Sequence, residues 1–374
     1  MPIEGKAEKY HINHNSQRRE KTMKKQYVTV VICFAAMLLF FGGTLIWSQP
    51  ADAKGPVIIR LVQPAPAGDF PLTYKDMELA KRFNARTDEY QIEVHAGGAL
   101  VKIPEFIDAV RIGVVEMACI DWGIFSFLDP RLGAEGIAFL SDNEESNIAM
   151  AKPMVPIYDQ VFLEKFNQKA LGRYSTGLMA IYSNKPIKRL EDMKGVLVGS
   201  GSPPTSDMLK ALGASPTIIM WTDLFESLQK HTIDATMQTS HGAVAMQIVD
   251  ATKYITPFNG HGAWNGYTIN LDVWKKMPPN IQKILQEEVD AACDWMAKTE
   301  LKLFYEDDPK VIKKKGLQVF VLSKAERDRW KVQAAQLQEK QIAALGEFGR
   351  KIKAIADEAN KRFPYDEKKM GTTD

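Results

Sequence analysis

The residues that follow position 55 alternate between short β-branched runs and amphipathic helical stretches. Residues 57–62, 90–95 and 114–120 have the composition of strands, and glycine or proline stands close to each of them. Residues 71–86 and 103–112 carry apolar side chains at helical spacing. Strand–helix–strand–helix–strand with short breaks predicts a parallel sheet in an α/β fold.

A parallel sheet of this kind also predicts where a ligand binds, because ligands lie beyond the carboxyl ends of its strands. The rule selects residues 63–70, which begin with Gln63, and the pair Asp121 and Trp122 after the third strand. A polar residue at a strand end can contact a ligand or simply cap the chain. Both interpretations of Asp121 and Trp122 remain open.

The middle of the chain repeats the pattern. Residues 177–182, 196–198 and 217–220 are strand-like, and residues 199–204 form the loop GSGSPP. No Gly-Lys-Ser/Thr follows, so this loop is not a nucleotide phosphate loop. We interpret it as a ligand-facing loop with backbone donors, with a plain turn as the alternative. Residues 278–305 then form one amphipathic run that reaches roughly 42 Å as a helix, enough to cross two small domains.

Length and charge limit the class of protein. A chain of 374 residues is too long for one ordinary core, so two domains are expected. Residues 54–374 contain 41 basic and 42 acidic side chains, and a nucleic-acid binder should instead show a clustered basic excess. Ser323 and Glu326 form a capping box that opens a further helical stretch to about Arg362.

The amino-terminal segment has the features of an export signal. Residues 26–50 carry no charge, Lys24 and Lys25 precede them, and Ala51-Asp52-Ala53 follows. This pattern predicts a signal peptide cleaved after Ala53 and a periplasmic mature protein. Residues 1–53 form this leader, and two interpretations of 1–22 remain open: an upstream extension, or a start codon assigned too early, ahead of Met23. An uncleaved membrane anchor is the alternative, because twenty apolar residues can span a bilayer.

No catalytic or metal-binding pattern stands out in the remaining chain. Cys119 and Cys293 lie in apolar runs and are interpreted as small buried hydrophobic residues. The histidines lack metal-ligand spacing, and neither a nucleophile elbow nor a zinc-protease motif is present. The sequence therefore predicts no enzyme, no metal and no cofactor.

Three blocks resemble the solute receptors of TRAP (tripartite ATP-independent periplasmic) transporters. Residues 103–116, IPEFIDAVRIGVVE, resemble the family's helix followed by A-V-R-x-G-x-x-D, and residues 190–195, LEDMKG, resemble its D-L-K-G segment. Residues 212–217, LGASPT, are followed by Leu228-Gln229 and Ile233-Asp234. They resemble the block G-A-x-P-T…A-L-Q-x-G-x-x-D-G at the expected spacing.

The resemblance implies an α/β fold with two lobes that close like a clamshell over a solute, and one long helix that spans both lobes. It places residues 54–176 and 265–304 in the first lobe and residues 177–264 and 305–322 in the second, followed by a carboxyl-terminal helical segment, 323–374. It also implies a monomer that delivers its solute to a small and a large membrane permease subunit, driven by an ion gradient.

The ligand-binding positions depart from the family pattern. The arginine of the family's G-x-K-x-R, which holds a ligand carboxylate, is replaced by Gly199. A second arginine of some members aligns near Met179, the family's asparagine position is Gln238, and its stacking aromatic falls on Trp221. A guanidinium–carboxylate pair is among the strongest polar contacts a cleft can provide. Its loss predicts a neutral ligand, or a carboxylate that meets other donors.

The sequence therefore predicts a partly apolar or aromatic solute, with an organic acid as the general class. The expected ligand-binding residues are Gln63, Asp121, Trp122, Met179, Gly199, Ser200, Trp221, Met237, Gln238 and His241. Alternatives from other classes are the binding protein of an ABC importer, a receptor that serves a signalling system, and a periplasmic enzyme.

Overall fold

A computed structural model describes residues 55–68 and 70–369 of the chain. The predicted leader and its cleavage site lie outside the described residues. Within the described residues, no helix combines the length and the apolar character that a membrane span requires.

The described residues form ten strands and eleven α-helices. The strands are β1 (Val57–Val62), β2 (Tyr90–His95), β3 (Met117–Ile120), β4 (Gln168–Ser183), β5 (Leu197–Ser200), β6 (Ser215–Ile218), β7 (Ala235–Thr239), β8 (Tyr254–Thr256), β9 (Gly262–Asn270) and β10 (Gln318–Val319). The helices are α1 (Pro71–Asn84), α2 (Phe106–Arg111), α3 (Glu144–Lys165), α4 (Pro203–Ala211), α5 (Leu224–Gln229), α6 (Ser240–Ala245), α7 (Ile248–Ala251), α8 (Leu271–Lys276), α9 (Pro279–Lys302), α10 (Asp308–Lys315) and α11 (Lys324–Arg362).

The strands pair in the order β2-β1-β3-β9-β4-β7-β5-β6, and β8 joins β10 to β4. The strand β4 belongs to both halves of this arrangement. Its first part pairs with β9, and its last part pairs with β7 and β8. We call the half around β1, β2, β3 and β9 lobe I, and the half around β5–β8 and β10 lobe II.

Strand direction brings the carboxyl ends of both lobes to one boundary. In lobe I, β1, β2 and β3 are parallel, and β3 is antiparallel to β9, which is antiparallel to β4. In lobe II, β5, β6 and β7 are parallel, and β7 is antiparallel to β4. Since β4 runs from lobe I into lobe II, the carboxyl ends of β1 and β3 face those of β5 and β7.

Helices cover both faces of each lobe. In lobe I, α1 and α9 enclose one cluster of buried residues, which includes Leu79 and Leu285, and α2 and α3 enclose a second, which includes Phe106 and Tyr158. In lobe II, α4 and the first half of α11 cover one face, and α5, α7 and α10 cover the other. Each fully buried aliphatic or aromatic side chain contributes about 1.5–3 kcal/mol.

The predicted long helix that spans both lobes is confirmed. Helix α9 packs Val289 and Met296 into the lobe I core, a π-helical turn follows at Leu303–Asp307, and α10 places Ile312 in the lobe II core. Its apolar stripe is what lets one helical stretch contact two successive cores.

Helix α11 also contacts both lobes. Trp330 packs in lobe II, and Ile352 and Ala356 pack in lobe I, on either side of Gly346, whose φ of 59° interrupts the helix. Glycine adopts this left-handed conformation without steric cost. The carboxyl-terminal helical stretch is therefore packed on the two lobes over most of its length.

Candidate functional site

A cleft lies between the carboxyl ends of the strands, and the lobes contact each other on both sides of it. On one side, the rings of Phe70, which follows β1, and His241, at the start of α6, have centroids 4.8 Å apart. On the other side, Pro204 of α4 packs so closely on Gly133 and Gly136 that an added Cβ at either glycine would overlap its neighbours. The loops of lobe I and lobe II therefore meet as in a closed clamshell.

The lobe I side of the cleft carries a polar cluster formed by Asp121, Glu135 and Arg173. Asp121 follows β3, and its Oδ1 accepts a hydrogen bond from the backbone N–H of Gly123 at 2.7 Å. The buried Arg173 of β4 forms an ion pair with the buried carboxylate of Glu135. Burial and the charge of Asp121 raise the pKa of Glu135, and the charge of Arg173 opposes that shift.

Aromatic rings surround the guanidinium of Arg173. Its Cζ lies 4.6 Å from the ring centroid of Tyr158, 5.0 Å from that of Trp264 and 5.4 Å from that of Trp122. A guanidinium over aromatic faces is favourable, and more so when water is excluded. Arg173 is therefore held in the lobe I core by rings and one carboxylate.

Several buried polar atoms next to this cluster have no hydrogen-bond partner in the described part of the chain. They are Trp122 Nε1, the Tyr158 hydroxyl, Arg173 Nε and His261 Nδ1. A buried donor or acceptor that lacks a partner costs about 1–3 kcal/mol. The surroundings of Asp121 are thus rich in polar atoms that the protein does not satisfy.

On the lobe II side, a side chain at the position of the family arginine would have to displace the ends of two core side chains. Gly199 pairs with Thr236 in the neighbouring strand, and a Cβ at Gly199 would lie 2.8 Å from Leu224 Cδ2 and 3.0 Å from Ile233 Cδ1. Both distances are shorter than ordinary carbon–carbon contacts. Gly199 therefore faces the lobe II core formed by Leu224 and Ile233.

The predicted lobe II residues lie on two faces of the sheet. Met179 and Met237 pack in the cluster under α4 and α11, whereas Trp221 packs in the cluster under α5 and α10. Successive residues of a strand point to opposite faces, so Gly199 and Gln238 lie on the Trp221 side. The structure therefore does not bring Met179 and Met237 together with Trp221 on one surface.

Three predicted polar residues use their side chains within their own loops. Gln63 is buried and donates to Ala65 O and Thr73 Oγ1, both at 2.8 Å. Ser200 Oγ lies 2.5 Å from Ser206 Oγ, and Gln238 Oε1 accepts from the Thr239 N–H at 2.9 Å. Through these contacts Gln63, Ser200 and Gln238 hold the backbone around the cleft in place.

The remaining predicted residues differ in how they reach the cleft. Trp122 is fully buried in the lobe I core and packs on Phe162, so the structure places its ring behind the cleft surface. His241 has a buried Nε2 without a partner among the described residues. Trp221 is partly buried at the carboxyl end of β6, and Asp121 is partly exposed at the end of β3.

Sequence reasoning missed three residues that the structure places at the cleft or directly behind it. Glu135, Arg173 and His261 are not among the predicted ligand-binding residues, and no motif marks them, whereas Phe70 belongs to the range 63–70 that the strand-end rule selected. Glu135 lies in a short 3-10 helix and Arg173 in the middle of β4. Their proximity depends on the pairing of β3, β9 and β4, which residue types alone do not encode.

Burial makes His261 a source of pH-dependent stability. Its pKa is lowered from 6.5 to about 4 by desolvation, while Asp121 acts in the opposite direction. Between these values the unfolded chain binds a proton that the folded protein does not. The stability contribution of His261 is therefore complete above pH 6.5 and is lost as the pH falls towards 4, by up to about 3 kcal/mol.

We expect the stability difference between wild type and His261→Asn to shrink as the pH falls from 6.5 to 4, measured by chemical unfolding. Burial also raises the pKa of Glu144 to about 7, so the contribution of Glu144 to stability falls as the pH rises. Subtracting the variant's stability from that of wild type at each pH removes this second effect. The exposed His231, replaced by Asn, is the control and should leave the profile unchanged. A constant difference across the range would contradict the assignment.

Comparison with known proteins identifies the class to which this fold belongs. Residues 69–344 match the model of bacterial extracellular solute-binding protein, family 7. Since the match covers more than half of the sequence, the chain belongs to this family of solute receptors. The family resemblance drawn from residues 103–234 is therefore confirmed.

Relatives support the same family at low identity. The chain is 22% identical over 277 residues to the ectoine/5-hydroxyectoine-binding periplasmic protein UehA of Ruegeria pomeroyi, covering 71% of this chain and 79% of UehA. It is 23% identical over 212 residues to the uncharacterized protein YiiZ of Salmonella typhimurium, covering 55% of this chain and 64% of YiiZ. The match to YiiZ thus spans slightly less than two thirds of that protein.

A solved structure shows the same fold. DctP7 of Bordetella pertussis, an extracytoplasmic solute receptor binding pyroglutamic acid, superposes with a TM-score of 0.73 at 20% identity. The superposition covers 80% of this chain and 99% of that structure. The two-lobed α/β fold predicted from the sequence is therefore confirmed.

Proposed function

We propose that this protein is the extracytoplasmic solute receptor of a TRAP transporter. It captures a small organic solute between its lobes and delivers it to membrane permease subunits for uptake driven by an ion gradient. The observation that carries this proposal is the cleft itself. The carboxyl ends of β1 and β3 face those of β5 and β7 across β4, the strand that both lobes share.

The general class of solute is an organic acid or a related small molecule. UehA is named for ectoine, and the structure of DctP7 for pyroglutamic acid. Both are small and polar, and both carry a carboxyl group and nitrogen.

The proposed mechanism is the closure of a hinged monomer around its solute, and small-angle X-ray scattering can test it. Protein purified with its solute and protein stripped of solute by unfolding and refolding are compared by small-angle X-ray scattering. We expect a smaller radius of gyration for the loaded form, because bound solute favours the state in which Phe70 contacts His241. Identical profiles for the loaded and stripped forms would contradict a clamshell receptor.

Trp221 is expected to contribute to affinity through its ring. Removal of a large ring that contacts a bound solute costs about 1–3 kcal/mol of binding free energy. We therefore expect Trp221→Ala to weaken binding of the recovered solute by that amount in calorimetric titrations. The control is Trp274→Ala, since Trp274 lies on α8 at the far end of lobe I. Equal affinities of the Trp221 variant and wild type would assign this ring to the lobe II core alone.

Export by a cleaved leader belongs to the same proposal. We expect the mature protein to begin at Lys54, since Ala51-Asp52-Ala53 has the small-residue pattern of a cleavage site. Amino-terminal sequencing of the exported protein measures this directly. Recovery of an intact leader in the membrane fraction would show that the apolar segment serves as an anchor.

A further inference from the structure

Glu300 lies where two of the segments that join the lobes meet. In β4, the pairing with β9 shifts register between Ser175 and Gly177, and the pairing with β7 begins at Met179. In the long helix, the π-helical turn Leu303–Asp307 begins three residues after Glu300. A Cβ added to Gly177 would lie 2.7 Å from Glu300 Oε1. The carboxyl group of Glu300 therefore lies against β4 at the point where this strand passes from lobe I to lobe II.

Lobe II residues lie next to this carboxyl group. The same added Cβ at Gly177 would lie 3.2 Å from the Cβ of Thr239, at the end of β7. Ser240 follows, and its hydroxyl donates to Asp308 Oδ2 of α10 at 2.6 Å. Glu300 itself belongs to α9, whose preceding turns pack in the lobe I core. A movement of one lobe against the other therefore changes the surroundings of Glu300.

Glu300 is buried without a partner. The residue is 1% exposed, and neither of its carboxyl oxygens has a hydrogen-bond partner in the described part of the chain. An ionised carboxylate that leaves water and gains no partner is strongly destabilised, so such a group takes up a proton instead. In this closed arrangement Glu300 is therefore the protonated acid.

The neighbouring carboxylates favour the same state of Glu300. From α3, Glu144 accepts hydrogen bonds from the Ser175 hydroxyl at 2.7 Å and from the Leu178 N–H at 2.8 Å, on either side of Gly177. Both hydrogen bonds stabilise the ionised form of Glu144. Burial raises the pKa of Glu300, and the charges of Glu144 and Asp308 raise it further.

No positive charge among the described residues opposes this shift. On the helix that carries Glu300, Lys298 is exposed and Lys302 pairs with Asp307. On α6, burial lowers the pKa of His241 to about 4, so this side chain is neutral near pH 7. The remaining titratable groups of this region contact one another and are Glu145, Tyr305 and Lys369. Protonation is thus the means by which the buried Glu300 avoids an uncompensated charge.

We propose that Glu300 is a proton-sensitive positioning residue of the hinge: the lobes close when its carboxyl group is protonated and open when it is ionised. Opening moves the end of β7 away and lets water reach the carboxylate, which only the ionised form requires. The closed form therefore holds a proton that the open form releases, and the pKa of Glu300 is higher in the closed form. The ratio of closed to open molecules falls as the pH rises between the two pKa values, by up to about tenfold per pH unit. This inference rests on the lobe movement of the proposed function, whichever solute the cleft takes.

Small-angle X-ray scattering of the stripped protein, from about pH 6 to about pH 9, tests this coupling. We expect the radius of gyration of the wild type to increase with pH as closed molecules open. Glu300→Gln cannot ionise and should keep the smaller radius throughout, and Glu300→Met, which also removes the polar group, should do the same. The control Glu287→Gln changes an exposed carboxylate of the same helix and should follow the wild type.

Infrared spectroscopy measures the protonation state separately. The difference spectrum between wild type and Glu300→Gln at neutral pH should contain the carbonyl band of a protonated carboxylic acid. A wild-type radius that does not change with pH, a pH dependence that persists in a folded Glu300 variant, or the absence of this band would overturn the inference. A smaller radius for loaded than for stripped protein at a single pH would still support the receptor, whereas equal radii would contradict the receptor itself.

Discussion

Gly199→Arg should fail to restore the carboxylate site and should instead destabilise the protein by about 4 kcal/mol or more. The new Cβ would lie 2.8 Å from Leu224 Cδ2, and the rest of the side chain would enter the cluster that contains Leu228 and Ile233. Overpacking costs typically 1–3 kcal/mol, and a buried guanidinium without a carboxylate adds several more. Chemical unfolding at neutral pH measures the loss.

Gly201→Arg is the matched control for this substitution. Gly201 is exposed two residues further along the chain, and a Cβ there meets no atom within 4 Å. The control should therefore retain stability within about 0.5 kcal/mol of wild type. A Gly199→Arg protein with wild-type stability and new affinity for succinate would show that the arginine site is still available.

Arg173→Met should be the most damaging substitution on the lobe I side, with an expected loss of about 3–5 kcal/mol. Methionine retains an unbranched apolar stem, but it removes the guanidinium from among the three aromatic rings and leaves the buried carboxylate of Glu135 without its cation. Removing one partner of a buried ion pair has a cost of this size. Denaturant unfolding monitored by tryptophan fluorescence measures it.

A double variant separates the lost charge from lost packing. Arg173→Met with Glu135→Gln removes both charges and should recover at least half of the stability lost by Arg173→Met alone. The exposed pair Lys324 and Asp328 serves as the surface control, and Lys324→Met should cost less than about 1 kcal/mol. A single Arg173→Met variant within 1 kcal/mol of wild type would contradict the described ion pair.

Local signals were sufficient for much of the fold. The alternating segments before residue 120 become β1, α1, β2, α2 and β3, and the 278–305 run becomes α9 with its π-helical extension. These elements follow hydrophobic periodicity, and their boundaries are marked by glycine, proline or capping residues.

Elements that depend on tertiary pairing escaped prediction. Helix α3 contains Pro153 and Pro156, which oppose helix formation, yet burial of Met150, Met154 and Tyr158 in lobe I maintains it. Strand β9 contains Gly262, Gly266 and asparagines, residues of low strand propensity. It forms because it is enclosed between β3 and β4.

The candidate site was only partly predictable for a related reason. Strand-end position selected residues 63–70 and Asp121, since the carboxyl ends of parallel strands meet at one edge, and the structure places Phe70 and Asp121 at the boundary between the lobes. Sequence position could not show that Met179 and Gly199 lie on opposite faces, or that Glu135 lies beside Asp121. Those relations depend on sheet register and on the closure of two lobes.

The central claim, a receptor that holds one small organic solute, is tested most directly by native mass spectrometry. The folded protein, purified from its host without added ligand, is weighed intact and again after denaturation. We expect the folded mass to exceed the denatured mass by that of a single small organic molecule, and a stripped sample to regain the same increment when the solute is returned. Equal masses before and after denaturation, with no increment from any returned extract, would contradict the account.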